Sequence, residues 1–106
     1  MKTTLCIILT VLAGSALAQA PAGNAEAAKS KISMCTGCHG IPNYKTAYPH
    51  VYHVPKITGQ TPVYIANALQ AYKSGARSHP SMRGIAQSLS EQDMADLAAY
   101  YSSEHQ

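Results

Sequence analysis

The feature that most constrains this chain is the run from Cys35 to His39, with sequence Cys-Thr-Gly-Cys-His. Two thiols with two residues between them match the separation of the two vinyl groups on a haem, and each thiol adds to one vinyl. The histidine that follows at once is placed to bind the iron from one face. The run therefore predicts one haem c, attached through Cys35 and Cys38, with His39 as an iron ligand.

Three other kinds of site contain a similar cysteine pair. A zinc ribbon needs a second pair of ligands, and the one remaining cysteine, Cys6, lies in a segment that we expect to be removed. A thioredoxin-like redox pair needs a strand before the motif and an α/β fold, and neither is indicated. A structural disulfide would close almost no loop and would leave His39 unexplained. Haem attachment is the interpretation that uses all three side chains.

The first 18 residues predict a secretory signal peptide. Lys2 gives a positive start, the stretch from Leu5 to Leu12 is almost unbroken apolar sequence, and Ala16-Leu17-Ala18 supplies the small residues of a cleavage site. Cleavage after Ala20 is a second choice, because Pro21 would then adjoin the scissile bond. The segment is too short for a membrane anchor. We expect residues 1–18 to be removed on export to the periplasm and residues 19–106 to form one domain.

A domain of this size has a marginal core and needs some additional constraint. A covalently held apolar cofactor would supply it, since no useful disulfide is available. The charge is modest, with eight Lys and Arg against five Asp and Glu, and the basic residues are scattered singly. No nucleic-acid partner is expected, because there is no basic patch.

The hydrophobic periodicity predicts an all-α domain of three main helices with loops wrapped around the haem. The first helix covers residues 24–34, with Asn24 as its cap. The second begins at Thr61-Pro62 and ends at Gly75. The third opens with a capping box from Ser90 to Asp93 and continues through an apolar stripe. We expect no strands, and we interpret residues 40–60 and 76–89 as loops.

The second axial ligand of the iron must come from a distant part of the chain. Met82 is preferred, because it follows Pro80 in a predicted loop that leaves the backbone free to direct its sulfur. Met34 is adjacent to Cys35 and is expected on the wrong side, and Met94 lies on the stripe of the last helix as a core residue. Three histidines remain alternatives for a bis-histidine site: His50, His53 and His79.

Beyond the attachment motif, several segments resemble the class I cytochromes c, most closely the small bacterial types. The segment from Pro55 to Gln60 is similar to the family's Pro-x-Leu-x-Gly, with Ile57 in place of leucine. The stretch from Tyr64 to Met82 resembles the middle helix and methionine loop, and that from Leu89 to Tyr101 resembles the closing helix. The resemblance implies that the Pro55 carbonyl accepts a hydrogen bond from His39. The Tyr- and His-rich loop from Ile41 to Val54 departs from the family pattern.

The resemblance implies a periplasmic electron carrier and not an enzyme. A haem capped on both faces by His39 and Met82 leaves no position for a substrate, and a methionine sulfur raises the potential. Partners would be redox proteins, such as a membrane quinol-oxidising complex, a terminal oxidase or a periplasmic dehydrogenase. The alternatives are a haem peroxidase or gas sensor, which would need an open iron position, and a cytochrome subunit of a larger redox complex.

Overall fold

The computed structural model describes residues 19–47 and 51–103. Over those residues the chain forms five helices and one two-stranded antiparallel sheet. The elements are α1 (Ala25–Ala28), α2 (Ser33–His39), β1 (Lys45–Thr46), β2 (Tyr52–His53), α3 (Pro62–Ser74), α4 (Pro80–Gln87) and α5 (Glu91–Ser103). The fold is mainly helical, as predicted. The predicted signal peptide and the candidate ligand His50 lie outside the described residues.

The prediction of one continuous helix over residues 24–34 is wrong. Asn24 does cap a helix, because its side chain accepts hydrogen bonds from the backbone N–H groups of Glu26 and Ala27 at 3.0 and 3.3 Å. That helix, α1, ends at Ala28. The Ser30 hydroxyl then donates to the Ala27 carbonyl at 3.1 Å and competes with the helical backbone bond. The chain passes through tight turns into α2, which carries both cysteines and His39.

Helix α3 begins and ends where the sequence predicts, and α5 begins where the sequence predicts. The Thr61 side chain accepts from the backbone N–H of Tyr64 at 3.3 Å, and Pro62 occupies the first helical position. Gly75 ends α3 in the left-handed conformation, with φ of 88°, which is why a glycine is needed there. At α5, the Asp93 carboxylate accepts from the Ser90 N–H at 2.9 Å, and the Ser90 hydroxyl accepts from the Asp93 N–H at 3.1 Å. The predicted capping box is confirmed.

The prediction that residues 76–89 form a loop is wrong, because Pro80–Gln87 is helix α4. Proline at the first helical position is a start signal as well as a loop marker, since its missing N–H has no partner there in any case. Met82 therefore lies in the first turn of a helix and not in a free loop.

The prediction of an irregular segment over residues 40–60 misses a short hairpin. Strands β1 and β2 pair antiparallel, with Lys45 opposite His53 and Thr46 opposite Tyr52. Each strand has two residues, too few to show an alternating pattern. Outside the sheet, the backbone N–H of Val54 donates to the Tyr44 carbonyl at 2.9 Å and extends the pairing.

The core lies where α5 crosses α1 and α3. Helix α5 contacts both of these helices, and α3 also contacts α4. The buried apolar residues are Ala28, Ile65, Leu89, Met94, Leu97, Ala98 and Tyr101. The stripe predicted for the last helix is confirmed by its four buried members, and Met94 is a core residue with 1% of its surface exposed.

The N-terminal segment is fixed to α5 by a buried carboxylate. Asp96, only 4% exposed, accepts from the backbone N–H of Asn24 and from the Gln92 side chain, both at 2.8 Å. Gln92 also donates to the Ala22 carbonyl at 2.8 Å. Buried carboxylates are tolerated where hydrogen bonds satisfy their oxygens. This contact holds the start of the domain against the helix that forms one wall of the functional site.

Among the described residues, none of the helices has the length and apolar content required to span a bilayer.

Candidate haem site

One cavity of about 500 Å³ brings together the chemistry predicted from the sequence. Its wall is mostly apolar and receives side chains from α2, the segment after β2, and α3 to α5. The predicted site residues that line it are Cys35, Cys38, His39, Pro55 and Met82. Residues separated by almost fifty positions in the sequence therefore meet at one site.

Helix α2 presents the two thiols differently. Cys38 is exposed, whereas Cys35 is half-buried and packs against the apolar core. Burial raises the pKa of the Cys35 thiol, because the thiolate is poorly solvated there, and a hydrogen bond with the Tyr101 side chain acts in the opposite direction. The two sulfurs are not joined to each other. Both are available for thioether bonds to a group in the cavity.

His39 is oriented by a backbone carbonyl. Its Nδ1 lies 2.7 Å from the oxygen of Pro55, so that Nδ1–H donates to this carbonyl. The ring then carries its proton on Nδ1 and leaves Nε2 with a free lone pair. Metal-bound histidines are typically held in this way, because the second hydrogen bond fixes the tautomer and the ring plane. The structure thus contains the contact that the resemblance implies for His39 and Pro55.

Met82 enters the cavity from the first turn of α4, where it is half-buried. The other candidate iron ligands come from different parts of the chain. His53 and His79 also line the cavity, and so does Met34. Met34 belongs to α2, the helix that already supplies His39. A ligand for the opposite face of a bound haem would have to come from a different element, and Met82, His53 and His79 all meet this requirement.

A cation lies at the α3–α4 side of the cavity. Arg77 follows the end of α3, and its guanidinium carbon is 4.8 Å from the centre of the Tyr72 ring. Both residues line the cavity. Stacking on an aromatic face restricts where an arginine can point. This arrangement suits a carboxylate at the cavity rim, as the propionates of a haem would provide.

Sequence reasoning missed several residues of the site. Tyr101 lies on the predicted apolar stripe of the last helix, but the stripe does not indicate that it lines the cavity together with Cys35. The apolar wall from α3 includes Ile65 and Leu69, whose spacing of four residues fits one helix face but does not indicate what that face contacts. No sequence signal separates a residue facing a cofactor from one facing another helix, because both are apolar.

The residues present fit a covalently bound haem. The apolar wall suits the macrocycle, the two thiols match its vinyl groups, and His39 presents a nitrogen already oriented by Pro55. When bound, haem c supplies a one-electron Fe(III)/Fe(II) couple. Around such a group, His39 would hold the iron, the apolar wall would exclude water, and Arg77 would place a cation near the rim.

Comparison with known proteins agrees with this geometry. The family model for cytochrome c matches residues 13–103. Cytochrome c-554(548) of Halomonas halodenitrificans is 41% identical over 86 residues, which cover 78% of this chain and 99% of that protein. Cytochrome c4 of Pseudomonas aeruginosa is 36% identical over 104 residues, covering 98% of this chain. The thiosulfate dehydrogenase electron acceptor of Thiomonas intermedia is 32% identical over 98 residues, covering 90% of this chain.

The relatives differ in length. The match covers 49% of the Pseudomonas cytochrome c4 and 42% of the Thiomonas protein, so the chain spans about half the length of these two. The family match extends over most of the chain, and the match to cytochrome c-554(548) extends over nearly all of that relative. The chain therefore belongs to the cytochrome c family and is an electron-transfer cytochrome whose cofactor is covalently bound haem c.

Proposed function

We propose that this cytochrome is a periplasmic one-electron carrier whose haem is attached through Cys35 and Cys38 and whose iron is held by His39 and Met82. The observation that carries the proposal is the single cavity lined by all four side chains, with His39 already hydrogen-bonded to Pro55. A site with two protein ligands changes oxidation state with little rearrangement. Such a protein transfers electrons and catalyses no reaction of its own.

The ligand pair determines whether the protein raises or lowers the reduction potential of the haem. A methionine thioether is soft and favours Fe(II), so a His/Met site has a higher potential than a bis-histidine site. The apolar wall acts in the same direction, because the more highly charged oxidised state is poorly solvated there. With its reduction potential raised in this way, the haem would accept electrons from partners of lower reduction potential.

The partners that we propose are other redox proteins. A relative carries the name thiosulfate dehydrogenase electron acceptor, which supports a dehydrogenase as donor for a protein of this kind. A membrane quinol-oxidising complex as donor and a terminal oxidase as acceptor are further candidates. Redox encounters usually have small interfaces, which allow rapid release.

The ligand assignment is tested by Met82→Ala, with Met34→Ala as the matched control, because both methionines line the cavity. The oxidised wild type should show a methionine–iron charge-transfer band. We expect that band to disappear in Met82→Ala and to persist in Met34→Ala. A high-spin wild-type spectrum would contradict the proposal and favour a peroxidase or gas sensor with an open iron position.

The proposed export to the periplasm is tested by the mass of the mature protein. We propose that residues 1–18 are removed, so the intact mass should equal that of residues 19–106 plus one haem. Recovery of the cytochrome only within a larger complex on size-exclusion of periplasmic extract would instead identify it as a subunit of that complex.

A further inference from the structure

We propose that His79 is a positioning residue for Met82: its imidazole caps α4 at the backbone N–H of the methionine and so fixes the helical turn that carries the sulfur. The proposal rests on the assignment of Met82 as an iron ligand. It assigns His79 to the cavity as a support for a ligand, whereas the sequence had left it as a possible ligand itself.

The geometry at the start of α4 carries this inference. His79 has extended backbone angles, with φ of −161° and ψ of 112°, and is the N-cap residue of Pro80–Gln87. Its Nδ1 accepts a hydrogen bond from the Met82 backbone N–H at 3.3 Å. The first turn of a helix has N–H groups without intrahelical partners, and a cap side chain satisfies one of them. In α4 the group that is satisfied belongs to the residue that enters the cavity.

Neighbouring residues make this cap decisive for the first turn. Pro80 has no N–H and contributes no hydrogen bond there. The His79 carbonyl accepts the N–H of Arg83 at 2.8 Å, which is the first bond of the helical ladder. Met82 therefore lies just before the ladder begins, and its backbone is held by the imidazole. If the acceptor is lost, this turn is the part of α4 that frays.

The imidazole is itself held in place by the hairpin. The Tyr52 ring in β2 lies 5.8 Å from the His79 ring, centre to centre, with the planes tilted by 51°. Tyr52 is opposite Thr46 in the β1–β2 register, so the hairpin backbone fixes its position. Aromatic pairs at this separation prefer tilted geometries. The contact gives the Tyr- and His-rich segment a structural connection to the methionine side of the cavity.

Two substitutions at His79 separate the hydrogen bond from the ring. His79→Asn keeps an acceptor, because its Oδ1 is the same number of bonds from the backbone as the histidine Nδ1. His79→Phe keeps a ring of similar size against Tyr52 and removes the acceptor. Asparagine is among the preferred N-cap residues, so His79→Asn is a conservative rescue.

The experiment measures how easily an external ligand displaces Met82. Imidazole is titrated into the oxidised holoprotein, and its binding is followed through loss of the methionine–iron charge-transfer band. A helix cap contributes on the order of 1 kcal/mol, which corresponds to about fivefold in an equilibrium constant, with a range of roughly two- to thirtyfold. We expect imidazole to bind His79→Phe about fivefold more tightly than wild type, and His79→Asn within about twofold of wild type.

Each other outcome overturns the inference in an identifiable way. If both variants equal wild type, the cap does not hold the methionine. If both variants lose the charge-transfer band before imidazole is added, the His79 ring itself is needed for methionine ligation. A hydrogen-bond acceptor at this position is then not sufficient. If the wild type has no such band, the assignment of Met82 fails and the inference fails with it. Thermal unfolding of the three proteins, measured in parallel, checks that the difference between Phe and Asn is local to the ligand.

Discussion

Replacing Gly23 with alanine tests whether the crossing of the N-terminal segment over α5 supports the haem cavity. A Cβ atom at this position would lie 2.0 Å from the carbonyl oxygen of Ala95 and 2.9 Å from the Cβ of Ala99. Carbon atoms in contact normally stay about 3.5–4.0 Å apart. The obstacle is helix backbone in the middle of α5, which cannot yield as a flexible side chain can. The N-terminal segment must therefore move away.

The cost follows from what this movement breaks. Overpacking at a tight contact costs about 1–3 kcal/mol. The shift also disturbs the hydrogen bond from the Asn24 N–H to the buried carboxylate of Asp96, 2.8 Å long, which contributes about 1 kcal/mol. We expect Gly23→Ala to lower the free energy of unfolding by about 3 kcal/mol. At about 4–8 °C for each kcal/mol in a domain of this size, Tm should fall by roughly 12–24 °C.

The assay is thermal unfolding of the holoprotein followed by far-ultraviolet circular dichroism and by haem absorption. Gly84→Ala is the matched control, because a Cβ there meets nothing within 4 Å and the residue is inside α4. The same methyl group should leave Gly84→Ala unchanged or more stable, by up to about 1 kcal/mol. If Gly23→Ala unfolds within about 0.5 kcal/mol of wild type, the N-terminal segment does not make a tight contact with α5.

Three further predictions concern charged groups. The hydrogen bond from Lys31, assisted by the Ser90 backbone, lowers the pKa of Asp93 from 3.8 to about 2. The proton therefore binds the unfolded chain at higher pH than the folded one, so this stabilisation is complete above about pH 4 and is lost as the pH falls through 2. Because Lys31 is 37% exposed, we expect Lys31→Met to cost about 1 kcal/mol at neutral pH and to lose this cost as the pH falls through 2, measured by urea unfolding. Asp96→Ala leaves two donors without their acceptor and should cost about 1–3 kcal/mol in the same assay. Arg77→Gln removes a cation from the cavity wall. Because the loss of a positive charge stabilises Fe(III), the reduction potential should fall by roughly 20 mV in a spectroelectrochemical titration.

The sequence predicts best the features that depend on neighbouring residues. The Thr61 cap, the left-handed Gly75 and the Ser90–Asp93 capping box are local hydrogen-bond or backbone requirements, and all three are present. The buried stripe of α5 follows from helical periodicity in the same way. The attachment motif is also local, because its chemistry requires adjacent residues.

The errors occur where a local signal has two meanings. Pro80 marks loops and also begins helices, and histidine is not a preferred cap, so α4 was not expected. The strands of the hairpin are too short to show a period. The structure joins positions far apart in the chain, since Asn24 binds Asp96, and Cys35 and Tyr101 line the same cavity. No pattern along the chain encodes such pairs, because they depend on how the helices cross.

We propose that one haem c, ligated by His39 and Met82, carries single electrons in this protein. A spectroscopic redox titration of the exported holoprotein tests it most directly, since the cofactor, its ligands and its electron count are observed together. We predict a single one-electron transition between two low-spin states, with the methionine–iron charge-transfer band present only in the oxidised form. A high-spin spectrum, or a low-spin oxidised form without that band, would contradict ligation of the iron by His39 and Met82.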